Sequence, residues 1–307
     1  MNAIAALPVA GKGECYRYFA LQPMFTSNLA IAAYEALYRH GLQDFFYGDG
    51  SLASRLMIDN ELLFGYEEIT DGLPVFLNGT RETLQSGLLT MLPNWIGIEI
   101  LESVEPDEVV IRQCQLLKQL GHAISLDDFE EGIHPLETVD RLYDVADFVK
   151  IDLRKSNGEI GKRLSTNPNR ARIKTVAEKI ECEGEFRRAL SQGFDLFQGR
   201  FLRPPVTYAR RINCAGTDRL HILFDHLNLD LFSDHELVEA IQCVPSLEHR
   251  LMRRLSWLID GRNSVSSVHE AIQLLGRSEL RRLIALNLSC MEKPAFVQDE
   301  TPQAGVE

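Results

Sequence analysis

Ala123-Ile124-Ser125-Leu126-Asp127-Asp128 sets a short apolar run directly against two carboxylates, and the N-terminal two-thirds of the chain repeats that arrangement. Val75 to Asn78, Ile96 to Ile100, Phe148 to Ile151, Ile173 to Ala177 and Leu196 to Phe197 are further short apolar runs of strand length. Tyr18 to Gln22 and Ala30 to Leu37 precede them, separated by a turn at Thr26-Ser27-Asn28. Helical stretches lie between the runs. Ser51 to Phe64 carries Leu52, Leu56, Leu62 and Leu63; Arg81 to Leu89 follows a capping Thr80; Asp107 to Leu120 ends at Gly121; Glu183 to Ser191 ends near Gly193. Strand and helix alternating this often predict a mostly parallel sheet. An open doubly wound sheet fits the alternation too, but it concentrates its chemistry at one crossover. Here Asn78, Glu99, Asp127, Lys150, Glu178 and Gln198 each fall at or just past a strand's C-terminal end. That distribution predicts an α/β (β/α)₈ barrel, whose chemistry sits on that rim.

Composition bounds the rest. The 307 residues carry a net charge of -12, which argues against a nucleic-acid polymer as partner, since that needs a basic footprint. A small phosphorylated ligand remains compatible, because a divalent cation inverts the local field. Six cysteines without a C-x-x-C pair or a histidine cluster favour neither zinc nor a disulfide frame, and suggest a reducing, cytoplasmic setting. No apolar run approaches the roughly 18 residues of a membrane helix, so membrane insertion is not expected. The expected organisation is a flexible tail over 1–15, a barrel over 16–205, a linker over 206–217, a small all-α domain over 218–291 and a disordered tail over 292–307. The prolines in Arg203-Pro204-Pro205 mark the change of texture. Beyond them the apolar spacing is purely helical, as in Leu220, Leu223, Phe224, Leu227 or Leu251, Leu255, Leu258.

The polar strand ends, with Glu35 and Asp128 added, supply five or more carboxylates and a carboxamide to one rim. Such a set repels itself unless cations sit among it, and all-oxygen donors suit Mg²⁺, Mn²⁺ or Ca²⁺. Two such ions about 3.5–4 Å apart clamp the attacking and leaving oxygens of a phosphodiester. Lys150 suits a water or a phosphate oxygen, and a neighbouring carboxylate can take the water's proton. Singly, each piece has a plainer reading: an Asp-Asp pair as a helix cap, Asn78-Gly79 as a turn, a lone Glu as solvated surface. Their joint placement is what points to a metal site.

The residues now in hand resemble the EAL family of cyclic-di-GMP phosphodiesterases. Phe19-Ala20-Leu21-Gln22-Pro23 is similar to its opening strand, and Tyr34-Glu35-Ala36-Leu37-Tyr38-Arg39 contains the signature with its following arginine. Asn78, Ile98-Glu99-Ile100-Leu101-Glu102, Leu126-Asp127-Asp128-Phe129, Lys150-Ile151-Asp152, Ala177-Glu178-Lys179-Ile180-Glu181 and Gln198-Gly199 follow in the family's order over about residues 16 to 205. The resemblance implies hydrolysis of cyclic-di-GMP to the linear dinucleotide pGpG with Mg²⁺ or Mn²⁺. It implies metal binding by Glu35, Asn78, Glu99, Asp127 and Asp128, with Asp152 near the metals or their waters. It makes Lys150 the residue that orients water and Glu178 the general base, with Glu35 among the catalytic set. Arg39, Gln22 and Gln198 would serve the substrate and the water network, while Glu102 and Glu181 brace loops.

Two features depart from that pattern. Phe129-Glu130-Glu131-Gly132-Ile133-His134-Pro135-Leu136 replaces the family's glycine-rich loop, and Lys179 stands where the family has glycine. The loop substitution supports a second reading, a catalytically silent barrel acting as a cyclic-di-GMP sensor or protein scaffold. Leu220 to Leu288 resembles the first part of an HDOD helical module, most clearly over Ser246 to Leu255 and Val265 to Gly276. Its histidines, His226, His235, His249 and His269, read as surface or capping residues. This resemblance implies a partner-binding annex, with a signalling protein or a second copy of the chain as the partner.

Overall fold

A computed structural model describes residues 15–39, 49–127, 136–154, 172–213, 215–229, 233–259 and 267–291. Strands β1 (Cys15–Thr26) and β2 (Ile31–Arg39) form a hairpin, joined by the Thr26 turn in which Leu29 N donates to Thr26 O. Helices α1 (Gly50–Phe64) and α2 (Glu67–Thr70) lead to β3 (Val75–Gly79), and α3 (Arg81–Gln85) leads to β4 (Ile96–Ile100). The chain continues through α4 (Glu108–Gln119), β5 (Ile124–Leu126), α5 (Leu136–Val145), β6 (Phe148–Asp152), β7 (Lys174–Glu178), α6 (Glu183–Ser191) and β8 (Leu196–Phe197). Strands β2 to β8 pair in sequence order and in parallel. β1 closes the ring by pairing antiparallel with both β2 and β8. The barrel is therefore as expected, with one strand reversed. The four residues between Thr26 and Ile31 leave no length for the crossover that a parallel β1–β2 pair would need.

Local sequence explains the helices. Asp107 accepts from Val109 N and Val110 N at the start of α4, and Thr80 forms a capping box with Thr83 at α3. Strands β4 and β5 bury every residue, since a parallel sheet is covered on both faces.

Two boundaries differ from the sequence expectation. Cys15 already belongs to β1 rather than to a tail. Residues 206–217, expected as a linker, contain strand β9 (Val206–Ile212), which pairs antiparallel with Cys15–Leu21 of β1. Pro204 and Pro205 end the barrel without freeing the chain, because the N-terminal half of β1 offers an open edge just beyond them. The expected tail over 292–307 and the substituted loop over 129–135 lie outside the described residues.

Helices α7 (Leu220–Asn228), α8 (Asp234–Gln242), α9 (Pro245–Ser256) and α10 (Val268–Ser289, broken at the non-helical Gly276) form the C-terminal helical region. Ser233 caps α8 through a capping box with Glu236, and Pro245 opens α9 at a position where its missing N–H costs nothing. Leu220, Leu223, Leu227, Leu251 and Leu255 of the apolar stripes read from sequence face inward, whereas Leu258 is exposed. Leu220, Leu237, Leu251 and Leu283 share one continuous core with Leu56, Ile58 and Leu62 of α1. The helical region is thus packed onto the barrel through α1.

Candidate active site at the barrel rim

Every second residue of a strand points the same way, so one position near each strand end can project into the barrel mouth. Glu35 on β2 stands in register with Gln22 on β1, Asn78 on β3 with Glu99 on β4, and Asp152 on β6 with Glu178 on β7. Lys150 on β6 is the hub. Its Nζ lies 2.6 Å from Glu178 Oε1, 2.7 Å from Glu99 Oε1, 3.0 Å from Glu35 Oε2 and 3.9 Å from Asp127 Oδ1. Gln198, just past β8, donates from Nε2 to the same Glu35 oxygen at 2.8 Å. Gly199 follows because nothing larger fits: a Cβ there would stand 2.2 Å from the carbonyl oxygen of Ile180.

Lys150 is 2 % exposed. Burial disfavours its charge, but Glu178, Glu35, Glu99 and Asp127 outweigh that and push its pKa well above the usual lysine range. The acids feel the opposite pull. Burial raises Glu178 to about 8, with Lys150 lowering it and Asp127 and Glu35 adding repulsion. Burial, then the Glu35 charge, raise Glu99 as well. One ammonium faces four carboxyl groups, and their mutual repulsion is relieved either by protons on Glu178 and Glu99 or by an added cation.

Three buried acceptor oxygens at this rim have no hydrogen-bond donor: Asn78 Oδ1, Glu99 Oε2 and Gln198 Oε1. Buried polar atoms are seldom left so, and each unpaired one costs about 1–3 kcal/mol. An all-oxygen donor set with more carboxyl groups than cations and with unpaired acceptors fits a hard divalent cation. Among the described residues, no three acidic, histidine or cysteine side chains stand in a ready chelating geometry. The carboxylates are turned onto Lys150 instead.

The predicted residues separate into groups. Gln22, Glu35, Asp127, Lys150, Glu178, Glu181 and Gln198 line one cleft of about 270 Å³. Asn78 and Arg39 line a neighbouring pocket of about 230 Å³ that is otherwise mostly apolar, with Leu37, Met57 and Leu101 in its wall. The structure does not bring Asp152 to the Lys150 cluster. Its carboxylate accepts from the Arg154 backbone and side chain and pairs with Lys179 at 3.1 Å. Burial alone would raise Asp152, but Arg154 and Lys179 reverse this and hold it below the usual range. Arg154 also reaches Glu181 at 3.0 Å, so Asp152 and Glu181 tie the segments after β6 and β7 together. Glu102 is exposed in the turn after β4. The loop it was expected to brace, like Asp128, lies outside the described residues.

Sequence reasoning missed two contributors, Ser125 and Arg200. Ser125 is buried in register with Glu99, and its Oγ has no hydrogen-bond partner. A serine within an apolar strand was the available signal. Lys179 and Arg200 line the cleft as further cations. Lys179 adopts φ 55°, the left-handed region where glycine is normally preferred, so its substitution for glycine costs backbone strain while placing an ammonium on Asp152.

A closed barrel with an acid-rich, lysine-centred pocket at its strand ends defines a TIM-type barrel protein whose chemistry sits on the C-terminal rim. Residues 76–205 match the family model for the EAL domain. The chain is 31% identical over 274 residues to the uncharacterized protein YuxH of Bacillus subtilis, covering 87% of this chain and 66% of YuxH. It is 29% identical over 281 residues to the cyclic di-GMP phosphodiesterase CdgJ of Vibrio cholerae, covering 88% of this chain and 63% of CdgJ. The chain therefore spans just under two thirds of the length of either relative. Among solved structures, the calcium and cyclic-di-GMP complex of Klebsiella pneumoniae BlrP1 superposes with a TM-score of 0.51 at 20% identity, over 67% of this chain and 61% of BlrP1. That likeness bears on the fold. Among the described residues, no helix is long and apolar enough to cross a membrane.

Proposed function

We propose that the chain is a metal-dependent cyclic-di-GMP phosphodiesterase that releases linear pGpG. The observation that carries this reading is the carboxyl-rich cluster around Lys150, with unpaired acceptor oxygens on Asn78, Glu99 and Gln198. The similarity to CdgJ supports the choice of substrate. Glu35, Asn78, Glu99, Asp127 and Asp128 would hold Mg²⁺ or Mn²⁺, which when bound neutralises the phosphodiester and lowers the pKa of water. Glu178 lies deepest against Lys150 among the cleft acids and takes the proton of the attacking water. Lys150 orients that water and offsets charge on the phosphate oxygens. Gln198 fixes Glu35 through its amide, and Gln22 borders the same cleft. Arg39, in the adjoining pocket, meets a second phosphate. Water oxygen bonds to phosphorus, the ester bond to one ribose oxygen breaks, and that oxygen leaves protonated.

The same reading gives the C-terminal helices a partner-binding or dimer-forming role, as an incomplete HDOD-like module, in a protein working in the cytoplasm. One observation favours the silent-sensor alternative: the carboxylates close on Lys150 rather than on one another. Incubating the purified chain with cyclic-di-GMP and Mn²⁺, followed by nucleotide chromatography, separates the two. Phosphodiesterase activity gives pGpG, and Glu35→Ala reduces it at least ~10²-fold. Ligand binding without product would replace the enzyme with the sensor.

A further inference from the structure

Asn78, in register with Glu99 of β4 on one side, is also held from outside the sheet. The β2–β3 ladder ends at Ala36–Leu77, one residue short of it. Beyond that point the Asn78 carbonyl accepts a 2.7 Å hydrogen bond from Ser54 Oγ on α1, and Ser54 is itself buried. The next turns of α1 bury Asp59, Asn60 and Glu61 in succession, three polar residues that a barrel helix packed only on its own sheet could not satisfy. Asp59 and Glu61 meet α9, while Asn60 Nδ2 reaches Met57 Sδ within α1 and the Tyr66 N–H donates to Glu61 Oε2. Arg250 binds Asp59 bidentately at 2.6 and 2.8 Å, and Arg253 faces Glu61 at 3.5 Å. From β1, Arg17 approaches Asp59 at 3.5 Å and donates to the Cys290 carbonyl at the end of α10. Gly65, at φ 66°, closes α1 and leaves room for Arg253, whose Nη2 would lie 1.6 Å from any Cβ there. The seat of α1 is thus set at one end by the C-terminal helices, and its other end holds the backbone of Asn78.

We propose that Ser54 is a positioning residue for Asn78, and that α1 carries the docking of the C-terminal helices to the metal-binding rim. The proposal rests on the phosphodiesterase reading for the identity of the cation. Its chemistry needs no new group: Asn78 Oδ1 is aimed by its backbone, the backbone by Ser54, and Ser54 by a helix whose far end is fixed through Arg250. Displacing α9 by a bound partner would then alter metal affinity without touching the cleft.

The test is calorimetric titration of Mn²⁺ into the full chain, with melting temperature and cyclic-di-GMP turnover read in parallel. Ser54→Ala is expected to weaken Mn²⁺ binding about 3- to 10-fold, and Ser54→Thr, which keeps the hydroxyl, to restore it. The double variant Asp59→Leu with Arg250→Met exchanges the buried pair for apolar contact and is expected to stay folded. It should weaken Mn²⁺ by a similar factor. Wild-type affinity in Ser54→Ala overturns the positioning role, and wild-type affinity in the folded double variant overturns the transmission through α1. Absence of Mn²⁺ binding by the wild-type chain overturns the phosphodiesterase reading, and this proposal with it.

Discussion

The molecule holds two buried ionic clusters built to different rules. At the rim, a single ammonium meets three carboxylates within 3.0 Å and a fourth at 3.9 Å, and nearby acceptor oxygens stay unpaired. Between α1 and α9, Asp59 and Glu61 face Arg17, Arg250 and Arg253, and the tightest contact is a two-pronged guanidinium–carboxylate pair. The second cluster sets three guanidiniums against two carboxylates, and its Asp59–Arg250 contact is specific in geometry, which suits a fixed joint between elements. The first sets four carboxyl groups around one ammonium, which suits a site completed by a cation. An excess of carboxyl groups over cations, rather than burial, separates the functional cluster from the structural one.

The largest expected effect tests the hub. Lys150→Met leaves Glu35, Glu99 and Glu178 buried together without their common partner. Turnover should fall at least ~10²-fold, and the fold should lose about 3–5 kcal/mol in urea titrations. Added Mn²⁺ should recover part of that stability if the rim accepts cations. An equal loss with and without Mn²⁺ would make the rim as structural as the α1–α9 joint.

Arg250→Ala strands the Asp59 charge and should cost about 3–5 kcal/mol, read as a lower urea midpoint with little response to Mn²⁺. A loss below about 1 kcal/mol would mean that the joint is held by apolar packing alone. The smallest effect belongs to Glu61, which burial raises to about 7 from an ordinary 4.5, the Tyr66 N–H and Arg253 only partly opposing this. In the folded chain Glu61 then holds its proton over a range where the unfolded chain has released it. Stability therefore falls as pH rises from about 4.5 to about 7, by an amount on the order of 3 kcal/mol. Glu61→Gln, which keeps an acceptor for the Tyr66 N–H, should raise the melting temperature at pH 8 and leave it nearly unchanged at pH 5. A uniform shift across pH would assign Glu61 no titration in this range.

The rim was legible in the sequence because two local signals coincide there. A short apolar run fixes the strand, and a polar residue at its end is conspicuous, as in Ile98-Glu99 or Val149-Lys150. The α1–α9 joint was not legible. Asp59-Asn60-Glu61 looks like the solvated side of a helix, and Arg250, Arg253 and Arg254 look like the polar face of another. Only their meeting across nearly 200 residues buries them. The same holds for β9, where Pro204-Pro205 reads as a stop and the partner edge of β1 lies at the far end of the chain. The hydroxyl of Ser54 carries no local mark of its bond to Asn78. Asp152 shares a face of β6 with Lys150, two residues away, and the resemblance placed it near the metals, but here Arg154 and Lys179 hold its carboxylate.

The central claim is that the rim cluster, and not the joint, is completed by a divalent cation. Calorimetric titration with Mn²⁺ of the wild-type chain, Glu99→Gln and Glu61→Gln tests it directly. Saturable binding in the wild type and in Glu61→Gln, and its loss in Glu99→Gln, is the predicted result. No saturable binding in the wild type, or binding that survives Glu99→Gln and disappears with Glu61→Gln, would contradict it.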